Sequence, residues 1–324
     1  MKKLLISIAV IMFSFGIIAQ ASDLVIESKT QTFSEEDNKI KFQGDVKVSV
    51  DDMKVVGESA DINMNEEQKL DTATFYDKPY AYEVKKNKKR EVKANILKVS
   101  LITKIVRAEG DTQSVVFDGK VPIVVINSDV QEYDTKTGVM TATGAVTIKY
   151  KDIESFSNKA ITNKNGDLKD LELIGNARVK DKTNESFADK FYYSEATKML
   201  TATGNTTSNA TMEDGQKLIL KSNVQEYSQD KNTYSASGNV RVWYQDYYAV
   251  GPKITVYPDK TTNKPNDIYF TGRSSITQGV RTIYADKIKM MLKPKDFHAE
   301  GNTRTVIRNI GSGDSSDGEM TLGL

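Results

Sequence analysis

Thr141-Ala142-Thr143-Gly144-Ala145-Val146-Thr147-Ile148-Lys149-Tyr150 decides the fold, because it returns 94 residues later as Ser235-Ala236-Ser237-Gly238-Asn239-Val240-Arg241-Val242-Trp243-Tyr244. Upstream, Ser128-Asp129-Val130-Gln131-Glu132-Tyr133 and Ser222-Asn223-Val224-Gln225-Glu226-Tyr227 agree at five of six positions with the same offset. Past the glycine, apolar side chains occupy every second position. They are Val146, Ile148 and Tyr150 in one copy and Val240, Val242 and Tyr244 in the other. Val46, Val48 and Val50 follow Gly44 in the same way. A period of two puts such side chains on one face of a β-strand.

The glycine element spreads along the chain, often with alanine two residues before it. It occurs at Gly44, Gly110, Gly144, Gly175, Gly204, Gly238, Gly272 and Gly301. The spacing is about 33 residues, with a degenerate copy at Phe75-Tyr76-Asp77 filling the one double interval. Eleven residues before the glycine there is often a large apolar residue: Phe33, Tyr133, Tyr193, Tyr227, Met290. Turn-forming clusters such as Glu35-Glu36-Asp37-Asn38 and Asn163-Lys164-Asn165-Gly166-Asp167 separate short strands. After the first two dozen residues, no segment carries a sustained helical stripe. Each unit then has one apolar face that it cannot bury alone, and stacking the units makes a continuous apolar interior. The glycines are expected to mark bends or bulges in the strands.

Lys2 and Lys3 precede an uncharged, mostly apolar run from Leu4 to Ile18, then Ala19-Gln20-Ala21. This reads as a secretory signal peptide cleaved after Ala21, since the run is short of the roughly 20 residues a membrane span needs. The expected organisation is a signal peptide over 1–21, a repeat region over 22–310 and a flexible glycine- and serine-rich tail over 311–324. The 94-residue offset suggests dividing the repeat region into two tandem units, about 22–125 and 126–310. Lys85-Lys86-Asn87-Lys88-Lys89-Arg90 is a basic run expected to be a solvated loop.

Composition narrows the chemistry. With 45 basic and 44 acidic side chains the net charge is +1, which argues against a nucleic-acid binder. There is no cysteine and only one histidine, His298. Thiolate metal sites and cysteine nucleophiles are thereby excluded, and most zinc sites with them. Neither a nucleophile elbow nor a metal or cofactor motif occurs. The carboxylates fall mostly at polar parity and in turns such as Asp51-Asp52, so paired-carboxylate glycan hydrolysis is a weak alternative.

Taken together, the exported all-β chain, the Tyr-x(8)-Ala-x-Gly-x-Val-x-Val units and the Ala-Asp pairs expected to open strands (Ala60-Asp61, Ala188-Asp189, Ala285-Asp286) resemble the OstA-like, LptA-type lipopolysaccharide-transport family. LptC and the N-terminal domain of LptD share that fold. The resemblance spans about Leu24 to Ile307 and implies an elongated β-jellyroll, open along one side. It further implies a non-catalytic periplasmic conduit, without cofactor, that holds the acyl chains of lipopolysaccharide or a similar lipid in its groove. A buried methylene is worth about 0.8 kcal/mol, so one acyl chain costs about 10 kcal/mol to expose to water. The expected groove residues are Val46, Val48, Val50, Val146, Ile148, Tyr150, Val179, Val240, Val242 and Tyr244. Plain core packing is the competing reading of each, and a structural or adhesive β-solenoid with a closed interior is the competing reading of the whole; a right-handed β-helix would repeat in the same way. Trp243 breaks the alternation at a polar position, as a partner contact or as an exposed aromatic. Expected partners are other jellyroll components at the two membranes and further copies of the chain, docking on unpaired edges near Leu24-Val25-Ile26-Glu27 and Arg304-Thr305-Val306-Ile307.

Overall fold

The computed structural model describes residues 25–308, apart from 51–52, 68, 86–87, 135, 166–167, 213–214, 260, 262–264 and 292–295. The signal peptide, its cleavage site after Ala21 and the 311–324 tail therefore lie outside the described residues. So do the side chain of Val50 and the tip of the basic run. Among the described residues there is strand and turn but no helix.

Among the described residues twenty-two strands form one sheet through antiparallel pairings. The first nine are β1 (Val25–Glu27), β2 (Thr30–Ser34), β3 (Lys39–Val50), β4 (Met53–Met64), β5 (Leu70–Tyr76), β6 (Tyr80–Lys85), β7 (Lys88–Lys93), β8 (Ile96–Ser100) and β9 (Ile105–Asp118). Next come β10 (Val121–Asp134), β11 (Met140–Tyr150), β12 (Ile153–Asn165), β13 (Leu168–Lys180), β14 (Asn184–Ser194) and β15 (Met199–Thr211). The rest are β16 (Lys217–Ser228), β17 (Thr233–Tyr244), β18 (Tyr247–Pro258), β19 (Pro265–Gln278), β20 (Arg281–Met291), β21 (Asp296–Glu300) and β22 (Arg304–Ile307). Short strands pair up end to end. β1 and β2 both lie along β3, β5 and β6 along β4, β7 and β8 along β9, and β21 and β22 along β20.

The glycine element is what folds this sheet. Gly144 has φ +80° and Ala145 φ +43°. Between the pairs Thr143↔Lys159 and Val146↔Ser157, β11 advances by one residue more than β12 does. That is a β-bulge, and it bends the strand. The same two-residue signature recurs at Gly44-Asp45, Gly110-Asp111, Gly175-Asn176, Gly204-Asn205, Gly238-Asn239 and Gly301-Asn302. The degenerate copy performs the same task without glycine, since Asp77 and Lys78 both have positive φ where β5 gives way to β6. The bulges lie mid-strand on every second strand, or at the junction of two short strands at Asp77-Lys78 and Gly301-Asn302, level with one another across the strands between, so the sheet is creased along one line. Both halves bury the same face, as Met140 and Ala142 before the crease and Val146 and Ile148 after it. The hairpin turns fall in two rows, one at the far end of each half. Among the described residues every pairing joins neighbouring strands and none joins the two rows. The architecture is thus an elongated all-β jellyroll whose sheet does not close.

Two local expectations are corrected. The Ala-Asp pairs do not open strands but lie inside β4, β14 and β20. Asp189 and Asp286 sit against Gly204 and Gly301, and their carboxylates accept from the Asn205 and Asn302 side-chain amides at 3.1 and 2.6 Å. The acidic side chain is a brace for the crease. Phe33 does not join the interior row with Tyr133, Tyr193, Tyr227 and Met290; it is 50% exposed, and among the described residues β2 has no neighbour beyond β3.

Candidate functional site: the apolar interior

The inner face of the long strands is mostly apolar, with isolated buried polar side chains. Val46 and Val240 are wholly buried, and Val48, Val146, Ile148, Val179, Val242 and Tyr244 are buried with them. Tyr150 is half-buried and packs against the same core. All of these sequence-predicted positions share one face, as their parity requires. They do not gather at one point. Val46, Val48, Val146, Ile148 and Val179 belong to an apolar cluster running from Phe42 to Ala202, whereas Val240, Val242 and Tyr244 belong to a second, running from Leu220 to Met290.

Where the first cluster gives way to the second, the interior opens. A cavity of about 70 Å³ lies under β14 to β19, walled by Met212, Leu218, Leu220, Val242, Ile254, Val256 and Ile268. Beside it a space of about 40 Å³ touches Val179, Phe191, Leu200, Ala202 and Tyr227. Val179 and Val242 line these two spaces; Val46, Val48, Val146, Ile148, Val240 and Tyr244 are buried in the core.

Between the two spaces stands a polar cluster. Gln225 is buried on the inner face, and its Oε1 accepts from Ser208 Oγ at 2.6 Å and from the Tyr234 hydroxyl. Gln225 Nε2 donates to the Leu220 carbonyl at 3.4 Å, and Ser186 Oγ lies 2.8 Å from Ser208 Oγ. Burial pushes the Tyr234 hydroxyl well above the ordinary tyrosine pKa, so it stays protonated. Sequence reasoning missed this cluster for a definite reason. The strand opposite each glycine changes parity at the crease. In β16 the inward residues run Leu220, Ser222 and then Gln225, Tyr227, because three residues there face four of β17 between Lys221↔Arg241 and Val224↔Ser237. The shift turns Gln225 inward. The signal was present in the repeated Val-Gln-Glu-Tyr, but alternation counted from one end of the strand misplaces it.

The outer face is polar and laced with ion pairs. Trp243 lies there, half-buried, 5.2 Å from the Tyr248 ring and 5.9 Å from Lys221 Nζ. Of the basic run, Lys85 ends β6 and Lys88, Lys89 and Arg90 belong to β7, which pairs with β6 and β9. Lys89 reaches over the rings of Tyr80, Tyr82 and Phe117 at 5.6, 5.5 and 5.9 Å and pairs with Glu91, so strand pairing and cation–π contact order it. His298 is exposed in β21. The buried carboxylates are tied: Glu83 pairs with Arg90 at 3.3 Å, Glu91 accepts from Tyr80 at 2.6 Å, and Asp170 accepts from Tyr192 at 2.6 Å. Among the described residues no group of three or more histidine, aspartate or glutamate side chains could hold a metal ion.

An elongated single-sheet jellyroll with a mostly apolar inner face is the class of molecule these features define. The family described as LptA/(LptD N-terminal domain) LPS transport protein matches residues 25–120 and 125–262. The chain belongs to this family of lipopolysaccharide-transport proteins. Among solved structures it is similar to LptH from Pseudomonas aeruginosa, described as the LptA homologous periplasmic component of the lipopolysaccharide transport device. That likeness has 12% identity and a TM-score of 0.34, over 38% of this chain and 83% of that one. No curated protein sequence matches the chain.

Proposed function

We propose that the chain is a non-catalytic periplasmic conduit that carries the acyl chains of lipopolysaccharide, or of a similar lipid, along its apolar interior. One observation carries the reading: the inward face is apolar through both clusters, and it opens into cavities lined by Val179 and Val242. A continuous apolar track lets a lipid cross an aqueous compartment without exposing its chains, while charged headgroups stay at the open side of the fold. A space of about 70 Å³ is small beside a whole acyl chain, so loading requires the two halves of the sheet to part at the unclosed side. The crease of bulges is a hinge suited to that motion. Cleavage after Ala21 would release the chain into the periplasm. The edges offer the docking points: among the described residues β1 and β2 pair only with β3, and β21 and β22 only with β20, with Val25 and Ile307 about half exposed. Jellyroll components at either membrane, or a second copy, would add a strand there.

Tight burial of Val46, Val146 and Val240 favours the rival reading, a closed structural scaffold. Photocrosslinking decides between them. With a photoreactive side chain at Val242 or Ile254, lipopolysaccharide should be captured; at Arg241, on the outer face, it should not. Equal capture on both faces, or none on the inner one, refutes the conduit.

A further inference from the structure

The 94-residue repeat builds the same interior site twice with different chemistry. Subtracting 94 from the residues around the Gln225 cluster gives Gln131, Ser114, Met140 and Val92 in place of Gln225, Ser208, Tyr234 and Ser186. The correspondence is spatial as well. Ser114 Oγ donates to Gln131 Oε1, and Gln131 Nε2 to the Ile126 carbonyl at 3.3 Å, matching Ser208, Gln225 and Leu220. These four first-copy residues, Val92, Ser114, Gln131 and Met140, line a space of only about 20 Å³ and are all buried. In the second copy two apolar side chains have become hydroxyls, Val92 to Ser186 and Met140 to Tyr234, and the space widens into the neighbouring cavity.

The proton inventory of the second site says what it can accept. Gln225 Oε1 has two lone pairs, and Ser208 and Tyr234 fill both. Ser208 has then spent its proton, so the 2.8 Å contact with Ser186 is made by the Ser186 proton. All three hydroxyl protons are committed. What remains, on Ser186 and Tyr234 at the edge of an apolar cavity, is acceptor capacity. A plain methylene chain drawn past these oxygens covers them without a partner, which is unfavourable. A chain bearing an O–H at that depth satisfies them, and a chain bearing only a carbonyl does not.

We propose that Ser186, Ser208, Gln225 and Tyr234 form a specificity site in the second copy that selects acyl chains carrying a hydroxyl group, while the corresponding site of the first copy does not discriminate. The inference rests on acyl-chain carriage by the interior. It identifies which chains the interior prefers.

The test is displacement of a fluorescent fatty acid from the full mature chain. The competitors are octadecanoate, 12-hydroxyoctadecanoate and 12-oxooctadecanoate, together with tetradecanoate and 3-hydroxytetradecanoate to vary the depth of the hydroxyl. At least one hydroxy acid should compete roughly 3- to 10-fold better than its parent, the range one ordinary hydrogen bond supplies. The oxo acid should gain nothing. A Ser186→Val, Tyr234→Met double variant, which copies the first site, should bind the parent acids at least as well and lose the preference. Tyr234→Phe tests the same point with minimal change of shape, and circular dichroism checks that each variant is folded. Binding of all acids without hydroxyl preference, or a preference that survives the double variant, overturns this proposal and leaves the conduit standing. If no acid displaces the probe, acyl carriage itself fails and the specificity site falls with it.

Discussion

Replacing Gly144 by alanine should cost more than replacing a turn glycine of similar backbone geometry, because of where its Cβ would land. Gly144 has φ +80°, and a left-handed backbone costs an L-residue about 1–2 kcal/mol. A Cβ there would also stand 2.5 Å from Asp129 Cγ and 2.7 Å from Asp129 Cβ, so the brace must move. Forced overpacking costs about 1–3 kcal/mol, towards the low end here because Asp129 is exposed and can swing out. The expected loss is about 2–4 kcal/mol. Gly279 is the control, with φ +54° and nothing within 4 Å of a built Cβ. Gly279→Ala should show only the backbone part, about 1 kcal/mol. Urea unfolding followed by far-ultraviolet circular dichroism measures both. Asp129→Ala combined with Gly144→Ala should recover part of the overpacking cost, about 0.5 kcal/mol or more relative to additivity, since the carboxyl group is gone while the Cβ of residue 129, 2.7 Å from the new methyl, must still shift. If Gly144→Ala is no more damaging than Gly279→Ala, or the double variant is simply additive, the crease does not depend on the aspartate–glycine contact.

Three further outcomes are expected. Val242→Asp should abolish lipopolysaccharide capture in a binding assay while Arg241→Asp leaves it near wild type, because Val242 lines the cavity and Arg241 faces water; equal losses would refute the assignment of faces. Hydrogen bonds from Arg107 and Lys98 hold the Glu109 carboxyl below its ordinary value of 4.5. Its folded pKa is depressed, so its stabilisation is present above about pH 4.5 and is lost as pH falls through the folded value. Glu109→Gln should therefore flatten the acid limb of the urea midpoint, and an unchanged limb would count against the pairing. Proline at Ile26 or Val306, placed on the edge strands, should weaken association with a second copy in light scattering while circular dichroism of the inner repeats is unchanged. A wild-type chain that remains monomeric at high concentration and binds no jellyroll partner would end the docking idea.

How far the sequence could be read depends on which interactions are local. Alternation after Gly44, Gly144 and Gly238 places Val46, Val146 and Val240 inside because side-chain direction in a strand depends only on position along it. The glycines could be read as bulges for the same reason: a positive φ is a property of one residue and its neighbour. Phe33 fits the apolar pattern of its repeat and is nevertheless exposed, since burial needs a second strand beyond β2 and the described residues supply none there. The run Lys85 to Arg90 looks like a loop by charge, yet β6 and β9 on either side hold its Lys88, Lys89 and Arg90 in strand β7.

The amino-acid sequence by itself determined the all-β class, the roughly 33-residue unit, the apolar face and the family, because each follows from short-range periodicity repeated many times. Only the tertiary structure decided that the units form one creased sheet, that the aspartates and asparagines brace the glycines, and that Gln225, Ser208, Ser186 and Tyr234 meet inside it. Those residues come from β14, β15, β16 and β17, and a register shift at each crease turns them towards one another. A shift of one residue reverses the face of everything beyond it, so the inward set is settled by how neighbouring strands pair and cannot be read from any one strand alone.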